Sequence, residues 1–492
     1  MKLVRLLEEA HISAPCSPGR EVEDLCYDSR KASSQNAFVA LCGTAVDGHS
    51  FVQPAYDKGC RTFIVQHPVD LPSDADVVQV PDTRAALASL SACLFRHPAQ
   101  RVKAIGITGT KGKTSVAHLL HHILEQIGHK SGLVGTTGIR FGDVVRKTVN
   151  TTPESYELQK ALGDMDKAGC EYACVEVSSQ GLMTHRVDAL PFEIGIFTNL
   201  SPDHIGPGEH SSFEEYMGWK STLFQRCRIG MLNRDDVHFE DMRKDATCMV
   251  RTFGMTKEAD YWADGVQLLR EPGFLGVGFT CHTPSGSFPM RLPQPGRFSV
   301  YNALAAIGTG CELGIHLPDM AAALADAVIP GRIQLIPALP YCTIVVDYAH
   351  NELSLRSILT TLREYHPRRL ICLFGSVGGR TQIRRQTLAH AAAELADFSI
   401  LTSDNPDFED PMAILQDIEQ GMAAAKGRFI SISDRGDAIR YAVDLAKPGD
   451  MILLAGKGHE DYQLVRGKRV PFCERDIVME AAQQRLKRET NG

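Results

Sequence analysis

Apolar residues change their spacing along the chain, and the changes divide it into three blocks. In the first hundred residues the apolar runs are short ("NAFVAL", "RTFIVQ", "ADVVQV") and separated by turn-rich stretches, which predicts a small α/β domain. The second block opens with "RVKAIGITGTKGKTSVAHLLHHILEQIG". Val102 to Thr108 reads as a buried strand. Val116, Leu119, Leu120, Ile123, Leu124 and Ile127 then recur at helical spacing, and Gly128 supplies a stop. "YACVEVSS", "IGIFTNL" and "IGMLN" continue this block as strands, and it ends near "VIPGR", Val328 to Arg332.

The third block alternates. "CTIVVDYA" reads as a strand and "SLRSILTTLREY" as a helix, and "RLICLFG" and "QTLAHAAAELA" repeat the pair. "FSILTS", "AILQDIEQGMAAA", "RFISIS", "DAIRYAVDLA" and "DMILLAG" extend the pattern. Such alternation predicts a doubly wound parallel sheet, whose ligands bind beyond the carboxyl ends of its strands. The stretch "TSDNPDFEDP" falls at one of those ends. It carries the four carboxylates Asp404, Asp407, Glu409 and Asp410, so a pocket for a cation and a solvated turn are both open readings.

Composition narrows the class. A chain of 492 residues with 43% hydrophobic content predicts two to four domains. A net charge of −7 gives no basic surface for nucleic acid. No apolar run reaches the roughly 18 residues of a membrane span. "MKLVRLLEEAHIS" has no signal-peptide core, so the expected location is the cytoplasm. Fourteen cysteines are scattered without a CxxC pair, which predicts reduced thiols and no zinc site.

Chemistry enters at "TGTKGKTS", Thr108 to Ser115, between a predicted strand and helix. Glycines there let backbone N–H groups face a phosphate at a helix N-terminus. Lys113 can reach the outer phosphates and Thr114 can hold Mg²⁺. The strict phosphate-loop pattern is broken at Ile107, where it requires glycine. A glycine-rich turn that happens to carry a lysine is the bland alternative. The loop alone leaves kinase, GTPase and ligase open. "EVSSQGL" adds Glu176 and two hydroxyls at a strand end, "TNLSPDH" adds His204, and "EEYMGWKSTLF" puts Lys220 on a helix. Each is weak singly, because a lone histidine is more often a satisfied polar residue and a helical lysine more often solvated.

Taken together, "TGTKGKTS", "TTP", "EVSS", "HR", "TNLSPDH", "YMGWKSTLF", "YNALAA", "GR" and "DYAH" resemble the Mur ligase family over most of the chain. "YDSRKASSQNAFVALCGTAVDGHSF" is similar to the uridine-binding first domain of the member that adds the third residue to the muramyl peptide. The resemblance implies three domains of α/β fold. These are a UDP-sugar-binding domain (1–100), a central P-loop ATPase domain with a parallel sheet (101–331) and a C-terminal Rossmann-like domain for the amino acid (332–492). It implies an ATP-dependent ligase that phosphorylates the D-Glu carboxylate of UDP-N-acetylmuramoyl-L-Ala-D-Glu and transfers the acyl group to an amino acid.

The same resemblance distributes roles. Gly109, Thr110, Lys111, Gly112, Lys113, Thr114 and Ser115 would cradle the ATP phosphates, with Asn302, Arg332 and Asp347 near the adenosine beside Tyr348 and His350. Thr114, Glu176, His204 and Lys220, the last as a carbamate, would hold two Mg²⁺. Ser29, Thr151, Thr152, Ser178 and Arg186 would hold the UDP-muramoyl dipeptide, and Arg380, Asp404, Asn405, Asp407 and Glu460 the amino acid. A monomer is implied. Members that add meso-diaminopimelate read "DNPR" where this chain reads "DNPD". An arginine there suits a distal carboxylate, whereas Asp407 suits an ammonium. That points to L-lysine or another basic amino acid ahead of diaminopimelate, with a turn that plays no part in selection as the remaining alternative. Gln180 stands where the family commonly has histidine, Thr381 where it has aspartate, and "DYAHNELSL" where it has "DYAHTPD". These departures keep open a paralogue acting on another acid, as folylpolyglutamate synthetase does.

Overall fold

The computed structural model describes residues 1–43, 46–203, 205–206 and 209–491. The chain divides into two compact units, Met1–Trp262 with Leu304–Met320, and Ala263–Ala303 with Ala321–Gly492.

The first unit begins with a four-stranded parallel sheet in the order β1 (Asp24–Cys26), β2 (Asn36–Val39), β3 (Thr62–Val65), β4 (Asp76–Gln79). Its short apolar runs alternate between two cores. Ala37, Val39 and Ile64 pack with the helices Leu3–Glu9 and Thr83–Leu94, while Phe38, Phe63 and Val65 pack with the helix Val52–Asp57. This is the period-two burial expected of a strand covered on both faces.

The larger sheet of this unit is built around β5 (Lys103–Thr108), buried from Ala104 onward. It lies between β9 (Tyr172–Glu176) and β10 (Phe192–Phe197), both parallel to it. β6 (Ser131–Gly135) continues the sheet beyond β9, and β11 (Cys227–Asn233) and β12 (Met249–Gly254) continue it beyond β10. β7 (Gly138–Phe141) and β8 (Val144–Arg146) add an antiparallel edge that the apolar pattern does not predict. Every parallel strand sends its following loop to the same edge. Gly109 is where two of these loops meet. It adopts φ 139°, and a Cβ there would lie 2.1 Å from Thr198 Oγ1. Glycine is required on both counts.

In the second unit, β13 (Tyr261–Glu271) contributes from Ala263 onward, followed by the hairpin β14 (Phe274–Thr283) and β15 (Gly286–Leu292). A six-stranded sheet then runs β16 (Gln334–Leu339), β17 (Cys342–Asp347), β21 (Met451–Ala455), β18 (Leu370–Phe374), β19 (Phe398–Leu401), β20 (Phe429–Ser431). Only the β16 edge is antiparallel. The continuous run "MILLA" is explained by its two neighbours. Leu453 faces the helices Glu352–Arg363, Gln382–Leu395 and Pro411–Ala424, whereas Ile452 and Leu454 face Arg435–Leu445 and Glu474–Asn491. The doubly wound arrangement predicted for the third block is therefore present. A small hairpin, β22 (Tyr462–Val465) and β23 (Lys468–Pro471), follows β21.

Gly135 closes β6 against Glu176, where an added Cβ would meet Oε1 at 2.1 Å. Gly135→Ala should therefore destabilise the chain by about 1–3 kcal/mol, the usual cost of overpacking, measured by urea unfolding.

Candidate active site

The loop Gly109–Gly112 leads into the helix Lys113–Gln126, so its backbone N–H groups point along a helix start of fourteen residues. The neighbouring loop after β10 holds it. Thr110 N–H donates to Asn199 O at 2.8 Å, Lys111 N–H to Asn199 Oδ1 at 3.0 Å, and Thr198 Oγ1 to Lys111 O at 2.6 Å. Lys113 Nζ folds over the loop and donates to Gly109 O at 2.7 Å and Thr110 O at 3.0 Å. Ser115 is half-buried on the first turn of the helix.

Lys220 is the largest departure from the solvated lysine that its sequence context suggests. It is 2% exposed, and its Nζ donates to Gly109 O at 3.0 Å, the same carbonyl that Lys113 uses. Burial pushes its pKa well below the ordinary lysine range, and the Lys113 charge adds to that shift. Tyr216, one turn earlier on the helix Phe213–Ser221, lies on the same buried face. Its ring is 4.6 Å from Lys220 Nζ, and its hydroxyl is 3.0 Å from Thr110 Oγ1.

Glu176 ends β9 with no exposure at all. It accepts from Thr114 Oγ1 at 2.9 Å, from Thr136 N–H at 2.9 Å and from Thr136 Oγ1 at 3.1 Å. A buried carboxylate beside a phosphate-loop threonine hydroxyl is a hard-oxygen donor set of the kind Mg²⁺ takes. His204 lies outside the described residues.

The other expected residues of this unit gather beside Glu176. Thr151 Oγ1 is 3.1 Å from Thr136 Oγ1. Thr152 is fully buried; its hydroxyl donates to Glu176 O at 2.8 Å and accepts from Ser178 N–H at 2.9 Å. Ser178 caps the short helix that follows it through Gly181 N–H. Arg186 donates to Thr152 O at 2.9 Å and pairs with Glu154 at 2.9 Å, and Glu154 also pairs with Arg84 of the first domain at 3.3 Å. Ser29 lies apart from these on a short turn capped by Asp28, whose carboxyl is lowered to about 2 by its Arg30 hydrogen bond.

Several participants escape the motifs. Thr136 and Glu154 lie in no quoted pattern. His210 is fully buried, with Nε2 2.8 Å from Ser179 Oγ and its ring edge-on to Tyr216. Its place six positions before Tyr216 in "EHSSFEEY" is the sequence feature that could mark it.

In the second unit Asp347 is 7% exposed and accepts from Ile333 N–H at 2.9 Å and Ala349 N–H at 2.8 Å. Burial raises its pKa, against the nearby Arg332. Arg332 stacks over Tyr348 at 5.6 Å, and the rings of His350 and His459 flank that tyrosine at 4.8 and 5.2 Å. Asn302 is buried on the helix Arg297–Glu312.

In the acidic loop each carboxylate has a partner within the chain. Asp404 and Glu460 do face an ammonium, but it belongs to the chain: Lys457 Nζ, with no exposure, is 3.3 Å from Asp404 and 3.2 Å from Glu460. Asn405 joins them, accepting from Lys457 at 2.5 Å and donating to Glu460 at 2.9 Å. Asp407 sits at φ 52° and accepts from Gly467 N–H at 2.7 Å, closing the β22–β23 turn. Glu409 pairs with Arg385 at 2.7 Å, and Asp410 caps the helix Pro411–Ala424. All four carboxylates of the stretch thus serve the chain itself. Arg380 is exposed beside this loop, and its charge lowers the pKa of Arg384 after burial has done so.

A phosphate loop whose shared carbonyl collects two lysines, one of them buried, and whose Thr114 hydroxyl meets a buried carboxylate, defines an enzyme that handles a nucleoside triphosphate. Comparison with known proteins sharpens that class. The "Mur ligase middle domain" model matches residues 107–310, the "Mur ligase, glutamate ligase domain" model residues 331–458, and the "Mur ligase family, catalytic domain" model residues 21–93. The chain is 39% identical over 481 residues to the UDP-N-acetylmuramoyl-L-alanyl-D-glutamate--2,6-diaminopimelate ligase of Caldanaerobacter subterraneus subsp. tengcongensis, covering 98% of each chain. It is 38% identical to the protein of the same name from Clostridium perfringens, covering 93% of this chain and 94% of the other. A solved structure of a ligase of that name superposes with a TM-score of 0.73 at 29% identity, over 98% of this chain and 99% of that one. The chain belongs to the Mur ligase family, whose members are ATP-dependent ligases that form amide bonds.

Lys457→Met should leave Asp404 and Glu460 without their buried counter-charge. The expected loss is about 3–5 kcal/mol of unfolding free energy, read from urea or thermal denaturation.

Proposed function

We propose that this ligase joins a third amino acid to the D-Glu carboxylate of UDP-N-acetylmuramoyl-L-Ala-D-Glu during synthesis of the peptidoglycan precursor. The observation that carries the reading is Lys220: a lysine buried against the phosphate loop, donating to Gly109 O, and driven by that burial toward its neutral form. A neutral amine can take up CO₂ as a carbamate, losing a proton, and so replace a cation with an anion at this point. The names of the relatives supply the substrate class.

In this reading residues 1–100 bind the UDP-sugar with Ser29, 101–331 form the ATPase domain, and 332–492 receive the amino acid. Gly109 to Ser115 position the triphosphate, and Lys113 follows the transferred phosphoryl group so that charge is neutralised where it crowds. Asn302, Arg332 and Asp347 serve the adenosine. Thr151, Thr152, Ser178 and Arg186 place the dipeptide carboxylate as the nucleophile. Thr114, Glu176, His204 and the Lys220 carbamate offer oxygen and nitrogen ligands for two Mg²⁺, which when bound would screen the phosphate oxygens. The acyl phosphate so formed is attacked by the amine of the incoming amino acid, releasing phosphate. Positioning of that amine falls to the loops of Arg380, Asp404, Asn405, Asp407 and Glu460, with Arg380 meeting a carboxylate. The protein acts as a monomer in the cytoplasm; among the described residues no helix is long and apolar enough to cross a membrane.

L-Lysine or another basic amino acid is the proposed acyl acceptor, because the chain has Asp407 where an arginine would suit a distal carboxylate. The second reading, meso-diaminopimelate, is favoured by the names of the relatives. Phosphate release with UDP-MurNAc-L-Ala-D-Glu and one amino acid at a time decides between them. A panel in which no amino acid stimulates release counts against the function altogether.

Two variants test the roles. Lys220→Ala should lower kcat by about 10²–10³-fold while nucleotide binding persists, and unchanged turnover would remove Lys220 from the mechanism. Asp407→Ala should cost about 1 kcal/mol of stability through the lost turn hydrogen bond. If Asp407 also selects the amino acid, the kcat/KM preference between lysine and diaminopimelate will shift; an unchanged ratio confines it to the turn.

A further inference from the structure

A second cluster of ligating side chains lies at the carboxyl ends of β2 and β3, in the first sheet. One ligand atom from each of Cys42, Asp47 and His67 lies within 4.8 Å of the other two. Cys42 follows β2 and His67 follows β3, and the two strands are paired through Val39 and Ile64. Cys42 forms a bridge with Asp47, and its Sγ lies 3.9 Å from Nε2 of His67, 25 positions away in sequence.

His49 fixes this arrangement from behind. Its Nε2 receives the backbone N–H of Gln66 at 2.9 Å and of His67 at 3.3 Å. A backbone N–H only donates, so Nε2 is the unprotonated nitrogen and Nδ1 carries the proton. Nδ1 lies 2.7 Å from Asp47 Oδ1 and donates to it. A hydrogen bond that orients a ligand from outside the coordination sphere is a regular feature of metal sites. Asp47 and His67 are exposed and Cys42 half-buried, so the cluster opens to solvent on one side.

We propose that Cys42, Asp47 and His67 form a binding site for a thiophilic divalent cation of the zinc class. The set comprises one thiolate, one imidazole and one carboxylate, which leaves a fourth tetrahedral position for water. Sulfur and nitrogen ligands favour zinc over magnesium, so the site is distinct in chemistry from the thiol-free pair of the Thr114 hydroxyl and the Glu176 carboxylate. Tetrahedral zinc geometry places sulfur and nitrogen about 3.6 Å apart, close to the observed Cys42–His67 distance. Binding forms the metal–sulfur bond and releases the thiol proton to solvent. Cysteine spacing along the chain hides the site, because β2 and β3 assemble it.

The test uses the full-length chain freed of metal by a chelator, with Co²⁺ as a spectroscopic probe and Zn²⁺ as competitor. The expected result is a thiolate-to-cobalt charge-transfer band that saturates at one equivalent and is removed by Zn²⁺ but not by excess Mg²⁺. Cys42→Ser should abolish the band, and His67→Gln and His49→Gln should each weaken Co²⁺ binding about 10–100-fold, with folding checked by circular dichroism. No band in the wild-type chain, or an undiminished band in Cys42→Ser, overturns the proposal. Neither ATP nor substrate is needed, so this outcome is independent of the ligase reaction.

Discussion

The central site depends on a carboxylate placed where no water reaches it. Glu176 has no exposure, yet three protein donors satisfy it: the Thr114 hydroxyl and the Thr136 N–H and hydroxyl. Burying a charge without such partners would cost several kcal/mol. Much of the nearby structure follows from meeting that demand. β6 must end in Gly135 to make room, Thr114 must stand on the first helical turn, and Thr152 must hold the carbonyl of Glu176 itself.

On the phosphate loop, two lysines converge on one carbonyl oxygen, Gly109 O. Their repulsion and the burial of Lys220 act in the same direction, toward a neutral Lys220 amine. Tyr216 ties the arrangement together, touching the phosphate loop with its hydroxyl and Lys220 with its ring, while His210 packs against its edge. The phosphate loop, Lys113, Lys220 and Tyr216 are therefore joined by direct contacts. The acidic stretch 402–411 has the opposite character. Its charges are absorbed by Lys457, Gly467 N–H, Arg385 and a helix start, so its composition reports on holding loops together as much as on any ligand.

Legibility in the sequence varied with the range of the interaction. Strand-to-helix alternation in the third block, the phosphate loop and the helix after it were readable because each rests on neighbours within one or two turns. "MILLA" could be read as buried, though not which residue faces which core. The partner of Asp404 was not readable. Lys457 lies fifty-three positions away in sequence, and nothing in "GKGHED" marks its ammonium as aimed at "SDNP".

By itself, the sequence determined the α/β class, the nucleotide-binding loop and the identity of the charged residues available to a site. These follow from periodicity and from local backbone needs such as glycine at Gly109. Tertiary structure alone decided which charges are neutralised. It buried Lys220 against Gly109, set Asp407 to close a turn, and brought Cys42 to His67 across adjacent strands. The physical reason is that protonation state and ion pairing depend on solvent exclusion and on distances of a few ångströms, and only the packing of strands and loops remote in sequence fixes those.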